Sequence, residues 1–237
     1  MVQLTDIRLF VRTTPNAARL LSGAAYLASE AYTSGIGKIE TKGARLLNVT
    51  VYQVGELAEP ETYPTEPDGR DGLIADEIRI EADLNRIALA EPEEQVAELL
   101  NLIHEGTIRL SRARSWHVDA ELEAARRRWG AHGFTSFAVP LLEKSSRDGR
   151  LVAKLVATIS LTGMRLTVVA ETRTGGRIAA SNAMDLGRMT LATRNSFPGQ
   201  LKWLSSQEVV LQPKPRRKFD EPLHEVSLRV PDSRGCR

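Results

Sequence analysis

From residue 136 onward the chain repeats one pattern four times: a run of aliphatic and β-branched side chains, then a turn too short to cross a sheet. The runs are 136–142, 151–161, 165–172 and 176–182, and the turns carry Ser146-Arg147-Asp148-Gly149, Thr162-Gly163 and Thr174-Gly175-Gly176. A parallel neighbour needs a crossover of about a dozen residues or more, so connections this short join only antiparallel strands. The second half is therefore predicted to be a β-meander. A further strand over 201–211, around Trp203, would close it, and the alternating stretch 223–230 suits an edge strand. Residues 184–195 fit helix and strand equally well.

The middle of the chain changes period from two to 3.6. Val96, Leu99, Leu100, Ile103 and Leu110 recur at three-and-four spacing. Pro92 stands at the first position, with Glu91, Glu93 and Glu94 at the start and Arg109, Arg112 and Arg114 near the end, which complements the helix dipole at both ends. Asp119 caps a second, shorter helix through Leu122, Ala125 and Trp129, stopped by Gly130 and Gly133. The two make a helical hairpin with Trp116 and Trp129 as packing anchors.

At the N-terminus a short apolar run, 7–11, leads into Thr14-Pro15, a helix start in which Thr14 caps and Pro15 needs no donor. The helix runs over 16–31 and ends near Gly35 and Gly37. Its Arg-bearing, Ala- and Ser-rich composition is also that of a presequence, which the preceding strand and the internal Glu30 argue against. Residues 46–54 form a β-branched strand, 55–72 a Pro- and acid-rich surface loop. Over 74–84 apolar and charged residues alternate, as in an antiparallel strand with one wet face. The expected class is α+β, mainly antiparallel sheet (meander), with the helical hairpin packed on one face and an N-terminal strand-helix unit. Residues 1–212 are expected to form one domain, with 1–55 a possible subdomain and 213–237 a basic linker and tail. Core candidates are Leu20, Leu21, Val51, Ile80, Leu99, Leu100, Ile103, Trp129, Leu155, Val156, Val168, Val169 and Trp203.

Composition excludes several classes. Of 237 residues, 42% are hydrophobic and 26% charged, which sets aside collagen-like and disordered chains. The single cysteine, Cys236, rules out an internal disulfide and a Cys-rich zinc ribbon, and suits a reducing compartment. No apolar window reaches the roughly 18 residues of a membrane span. The expected location is cytoplasmic.

The net charge of +2 conceals a division. Residues 1–55 hold 6 Lys/Arg and 3 Asp/Glu, residues 56–107 hold 3 and 15, and residues 108–237 hold 23 and 12. An acidic middle is thus followed by a basic half, an asymmetry that either compensates within the fold or faces a charged partner.

Catalytic motifs fail on inspection. His104-Glu105 lacks the second histidine of a metalloprotease helix, because Ile stands at 108. His104, His117 and His132 could still converge on a divalent ion across the hairpin. Ser34-Gly35-Ile36-Gly37-Lys38 follows a helix rather than a strand and is not a phosphate loop, and no Gly-x-Ser-x-Gly occurs. Without a catalytic constellation, the residues of the acidic segment that suit a surface role are Asp76, Glu77, Glu81 and Asp83, able to meet a cationic protein. The basic half offers Arg126, Arg127, Arg128, Lys214, Arg216, Arg217 and Lys218 to phosphates. Aromatic residues are only 5% of the chain, which leaves such a surface short of stacking partners.

The order of elements over 92–172 combines a helix with His104-Glu105 near its end, a connector with Trp116, a short helix ending at Trp129 and a meander entered by Ser146-Arg147-Asp148-Gly149. This layout is similar to small α+β immunity proteins encoded beside bacterial polymorphic toxins. The resemblance covers about a third of the chain, and implies a cytoplasmic, non-catalytic protein that occludes a cognate toxin; no cofactor is expected. The expected function is accordingly a non-enzymatic protein-binding protein whose acidic surface engages a basic partner such as a toxin domain. The alternatives are a nucleic-acid-binding accessory module using the Arg-rich half and a metal-dependent hydrolase around the histidines.

Overall fold

Strand β1 (Val2–Leu4) is followed by β2 (Asp6–Arg12), which leads directly into α1 (Pro15–Gly35). The helix begins as the sequence dictates, with the Thr14 side chain accepting a hydrogen bond from the Ala17 amide and Pro15 in the first turn. After α1 the chain forms β3 (Ile39–Thr41), paired antiparallel with β1, and then β4 (Leu46–Gln53), which lies parallel to β2. The computed structural model describes residues 2–37, 39–41, 43–64, 75–129, 134–189, 199–213 and 225–231. These fall into two compact units, one of Met1–Phe137 with Ser160–Thr162 and one of Ala138–Ile159 with Gly163–Arg237. The fold is α+β.

The main sheet of the first unit has the order β2-β4-β6-β5, where β5 is Glu61–Pro64 and β6 is Ala75–Ala82. In register, Leu9 lies opposite Val49 and Val49 opposite Ile78. The alternation over 74–84 leads one to expect an antiparallel strand, but β6 is parallel to β4 and antiparallel only to β5. Alternation reports that one face is covered and the other is wet. It carries no information on strand direction, which here follows from the crossover through α1 and the long 54–74 connection. That connection is also not all loop, since Glu61–Pro64 adds the edge strand.

Ile7, Leu47, Val49, Val51, Ile78 and Ile80 fill the helix-covered face of this sheet. Helix α3 (Pro92–Ala113) approaches it closely at Gly106, where a Cβ would stand 2.8 Å from Val49 Cγ1 and 3.3 Å from Ile78 Cγ2. Helix α1 covers the outer edge of β2: Ser29 Oγ accepts from the Leu9 amide at 2.9 Å and Thr33 Oγ1 from the Ile7 amide at 3.1 Å. Edge donors that would otherwise invite another strand are thereby satisfied. The short helix α2 (Leu84–Ala88), not foreseen in the sequence, is capped by the Asp83 side chain on the Arg86 amide. Helix α4 (Asp119–Trp129) completes the hairpin with α3, and the Trp129 ring packs at a tilt 4.7 Å from Phe137 and 5.5 Å from Phe134, centre to centre.

The second unit contains the predicted meander, in the order β10-β9-β8-β7: β7 (Ser136–Ser145), β8 (Leu151–Ser160), β9 (Gly163–Thr172) and β10 (Arg177–Ala180). Strict alternation along β8 buries Leu151, Ala153, Leu155, Ala157 and Ile159. β11 (Met184–Asp185) adds a short pairing to β9, so the ambiguous 184–195 segment begins as strand; 190–198 lie outside the described residues. The single strand expected over 201–211 to close the meander is instead a hairpin, β12 (Gln200–Trp203) and β13 (Glu208–Gln212), which among the described residues pairs with β14 (Val226–Arg229) in a separate three-stranded sheet. A turn in which the Gln207 amide donates to Ser205 Oγ interrupts the run and leaves Leu204 half-exposed.

Most core candidates are buried, Leu21, Val51, Leu99, Ile103, Leu155 and Val168 completely. Leu20 is the exception at 47% exposure, one step around the helix from the buried stripe of Leu21, Ala24, Leu27 and Ala28. Val156, Trp129 and Trp203 are half-buried. Val156 takes the outward position of the β8 alternation.

Candidate functional site

Because strand side chains alternate, β6 sends Asp76, Ile78 and Ile80 to the helix-covered face and Glu77, Arg79 and Glu81 to the other. The four acidic residues singled out in the sequence therefore do not share one surface. Asp76 is 7% exposed and receives both Nε and Nη2 of Arg114, at the C-terminal end of α3, at 2.9 to 3.3 Å. Asp83 lies beyond the strand and caps α2. Its carboxyl is held below the usual range by the Arg86 amide and by Gln53. Both act within the fold.

Glu77 and Glu81 remain together on the face opposite the helices. Glu77 Oε1 accepts from Thr50 Oγ1 at 2.8 Å and from Arg79 Nε at 3.2 Å. Glu81 accepts from the Leu57 amide. The Arg79 guanidinium lies 4.3 Å from the centre of the Tyr63 ring, and the Tyr63 hydroxyl donates to Glu61, which raises its pKa. Across the sheet, the same parity places Arg8, Phe10 and Arg12 of β2 and Asn48, Thr50 and Tyr52 of β4 on this face. Phe10 is 42% and Tyr63 37% exposed. Burial holds the Asp6 carboxyl above its ordinary pKa at the β2 end of this face, where Arg8 Nε bonds it at 2.8 Å and opposes the shift.

The face is thus divided by charge. Its β5–β6 side is acidic, through Glu61, Glu77 and Glu81, and its β2 side carries Arg8 and Arg12. Phe10, Tyr52 and Tyr63 went unnoticed in the sequence, although Arg8-Leu9-Phe10-Val11-Arg12 alternates and could have exposed the first of them. Tyr63 was masked by its position in an apparent loop.

The histidines are separated by role. His104 is buried between helices, with Nδ1 2.9 Å from the Tyr32 hydroxyl and Nε2 3.0 Å from Glu123 Oε1. His117 stands in the α3–α4 connector with φ 58°, beside Ser115 with φ 52°. With Ser111, Arg112 and Asp119 they line an open depression of about 390 Å³. Asp119 does not leave its carboxylate free there, since it accepts from Arg112 Nε at 2.9 Å. His132 lies outside the described residues, and no group of three or more His, Cys, Asp or Glu among the described residues is placed to hold a metal ion.

Arg126, Arg127 and Arg128 are exposed in the last turn of α4, Arg126 bonding Asn101 at 3.3 Å. Lys214, Arg216, Arg217 and Lys218 lie outside the described residues. No helix among the described residues is long and apolar enough to cross a membrane. No protein-family model, curated protein or solved structure matches the chain.

Proposed function

We propose that the chain is a non-enzymatic, protein-binding protein of the immunity type, which occludes a basic partner such as a bacterial toxin domain in the cytoplasm. The observation that carries this is the composition of the sheet face opposite the helices: Glu77 and Glu81 in line, flanked by half-exposed Tyr63, Tyr52 and Phe10. Aromatic residues beside pre-positioned charges make the anchor points of protein interfaces. Glu77 is already fixed by Thr50 and Arg79, so its ordering adds little entropy cost to association. The acidic side favours a cationic partner through steering as well as contact.

The test starts from capture with the intact chain at low and moderate salt, with a nuclease-treated parallel, followed by titration of the identified protein against purified variants. Glu77→Lys with Glu81→Lys is expected to weaken binding by about a hundredfold, the scale of two charge reversals at an interface. Asp76→Asn is expected to change stability and leave the affinity of the folded fraction intact. Unchanged affinity in the double reversal overturns the proposal. Recovery of nucleic acid alone transfers the function to the arginines of α4.

A further inference from the structure

One polar connection in the first unit joins three helices through two hydrogen bonds. Tyr32 of α1 is 1% exposed and His104 of α3 6%, while the Glu123 side chain of α4 is about half-exposed at 49%. The carboxylate fixes the ring tautomer, because an ionised Glu123 can only accept and therefore takes the Nε2 proton. Nδ1 is left as the lone-pair nitrogen and accepts from the Tyr32 hydroxyl. Every member of the chain is satisfied only while His104 is neutral.

A second ring proton reverses one bond and makes the other, to Glu123, charge-assisted, a gain that water screens because the Glu123 side chain is 49% exposed. Nδ1 becomes a donor, the Tyr32 oxygen must accept, and the hydroxyl proton loses its acceptor in a buried position, where no other hydrogen-bond partner for it stands among the described residues. The charged groups around the ring pull in both directions. Glu123 and the more distant Asp119 favour the imidazolium, Arg126 on the same helix disfavours it, and Glu105 on α3 itself is turned outward to Arg109. Burial is the largest influence, and it holds the His104 pKa below its ordinary value.

Helix α4 is the element that depends on this connection. It buries completely only Leu122 and Ala125, and half-buries Trp129 against Gly35, where a Cβ would stand 2.8 Å from the indole nitrogen. So little apolar burial puts α4 among the first elements to open. We propose that the Tyr32–His104–Glu123 chain is an acid-sensitive latch, closed while His104 is neutral and released on its protonation because departure of α4 from α1 and α3 returns the charged ring and the stranded Tyr32 hydroxyl to water, while the sheets remain folded.

Site-resolved hydrogen exchange on the full chain, corrected for intrinsic rates, tests this. Between pH 7.5 and pH 5 the protection of 119–129 is expected to fall severalfold, with β4, β6 and β8 unchanged. His104→Gln, which cannot titrate, should show no such fall, and Tyr32→Phe, which has no hydroxyl to strand, a smaller one. Equal protection of α4 at the two pH values, or the same fall in His104→Gln, overturns the proposal. If His104→Gln does not fold, an NMR titration of the wild-type ring decides: a midpoint below 6.5, the ordinary histidine value, is required, and one at or above it refutes the latch.

Discussion

Asp76 and Glu77 are adjacent in one strand, carry the same charge and are equivalent as sequence candidates, yet their substitution should differ in cost. The Asp76 side chain is 10% exposed and meets Arg114, 30% exposed, through three contacts of 2.9, 3.1 and 3.3 Å. Removing one member of a fully buried pair costs about 3 to 5 kcal/mol, because the other is left charged and unpaired. Arg114 is near enough to solvent to recover part of its hydration, which reduces the expected cost of Asp76→Ala to about 2 to 3 kcal/mol. In a double-mutant cycle with Arg114→Ala the coupling should be about 2 kcal/mol. Glu77→Gln should cost less, about 1 kcal/mol, since the amide oxygen still accepts from Thr50 and Arg79 although the side chain is only 15% exposed. The assay is urea unfolding in a Trp203→Phe background, so that Trp116 and Trp129 report the first unit alone. A coupling below about 0.5 kcal/mol, or equal costs for the two acids, would refute the assignment of Asp76 to the helix-covered face and the strand parity behind it.

Two further substitutions probe the same unit. Gly106→Ala should destabilise by about 1 kcal/mol, because the Cβ placed 2.8 Å from Val49 outweighs the gain of about 1 kcal/mol in helix propensity; a net stabilisation in the same urea assay would mean that α3 does not lie so close to the sheet. Asp6→Asn should become more favourable relative to wild type as pH rises. Burial lifts the folded-state pKa of Asp6 above 3.8, so the folded chain holds that proton longer than the unfolded one and the stability it contributes at low pH is lost as pH rises through the folded pKa. Urea midpoints of both proteins from pH 3 to pH 7 check this, and a difference independent of pH, or one of opposite slope, contradicts it.

The turns after 145, 160 and 172 determine the meander because connections of five, two and four residues leave the chain one geometric choice. The start of α1 is equally local, since Thr14 and Pro15 act on the amides next to them. The strand directions in the first unit were not legible for the converse reason: whether β6 runs with or against β4 depends on where a long connection returns, and the alternation of Ala75–Ala82 is identical in both cases. The same limit governs the candidate site. Parity in β6 already separates Asp76 from Glu77 and Glu81, so the division of the acids into two faces is contained in the sequence. What one strand cannot reveal is that Arg114, 38 positions later, waits on one face. Nor can it reveal that Phe10, Tyr52 and Tyr63 gather on the other, because their proximity exists only once four strands have been set in register. His104 shows the point most sharply: the sequence offers it as a candidate ligand together with His117 and His132, whereas its partners in the fold are a tyrosine 72 positions earlier and a glutamate 19 positions later. Local patterns therefore identify which side chains are available, whereas the charge state each must keep is decided by neighbours that only the assembled helices supply.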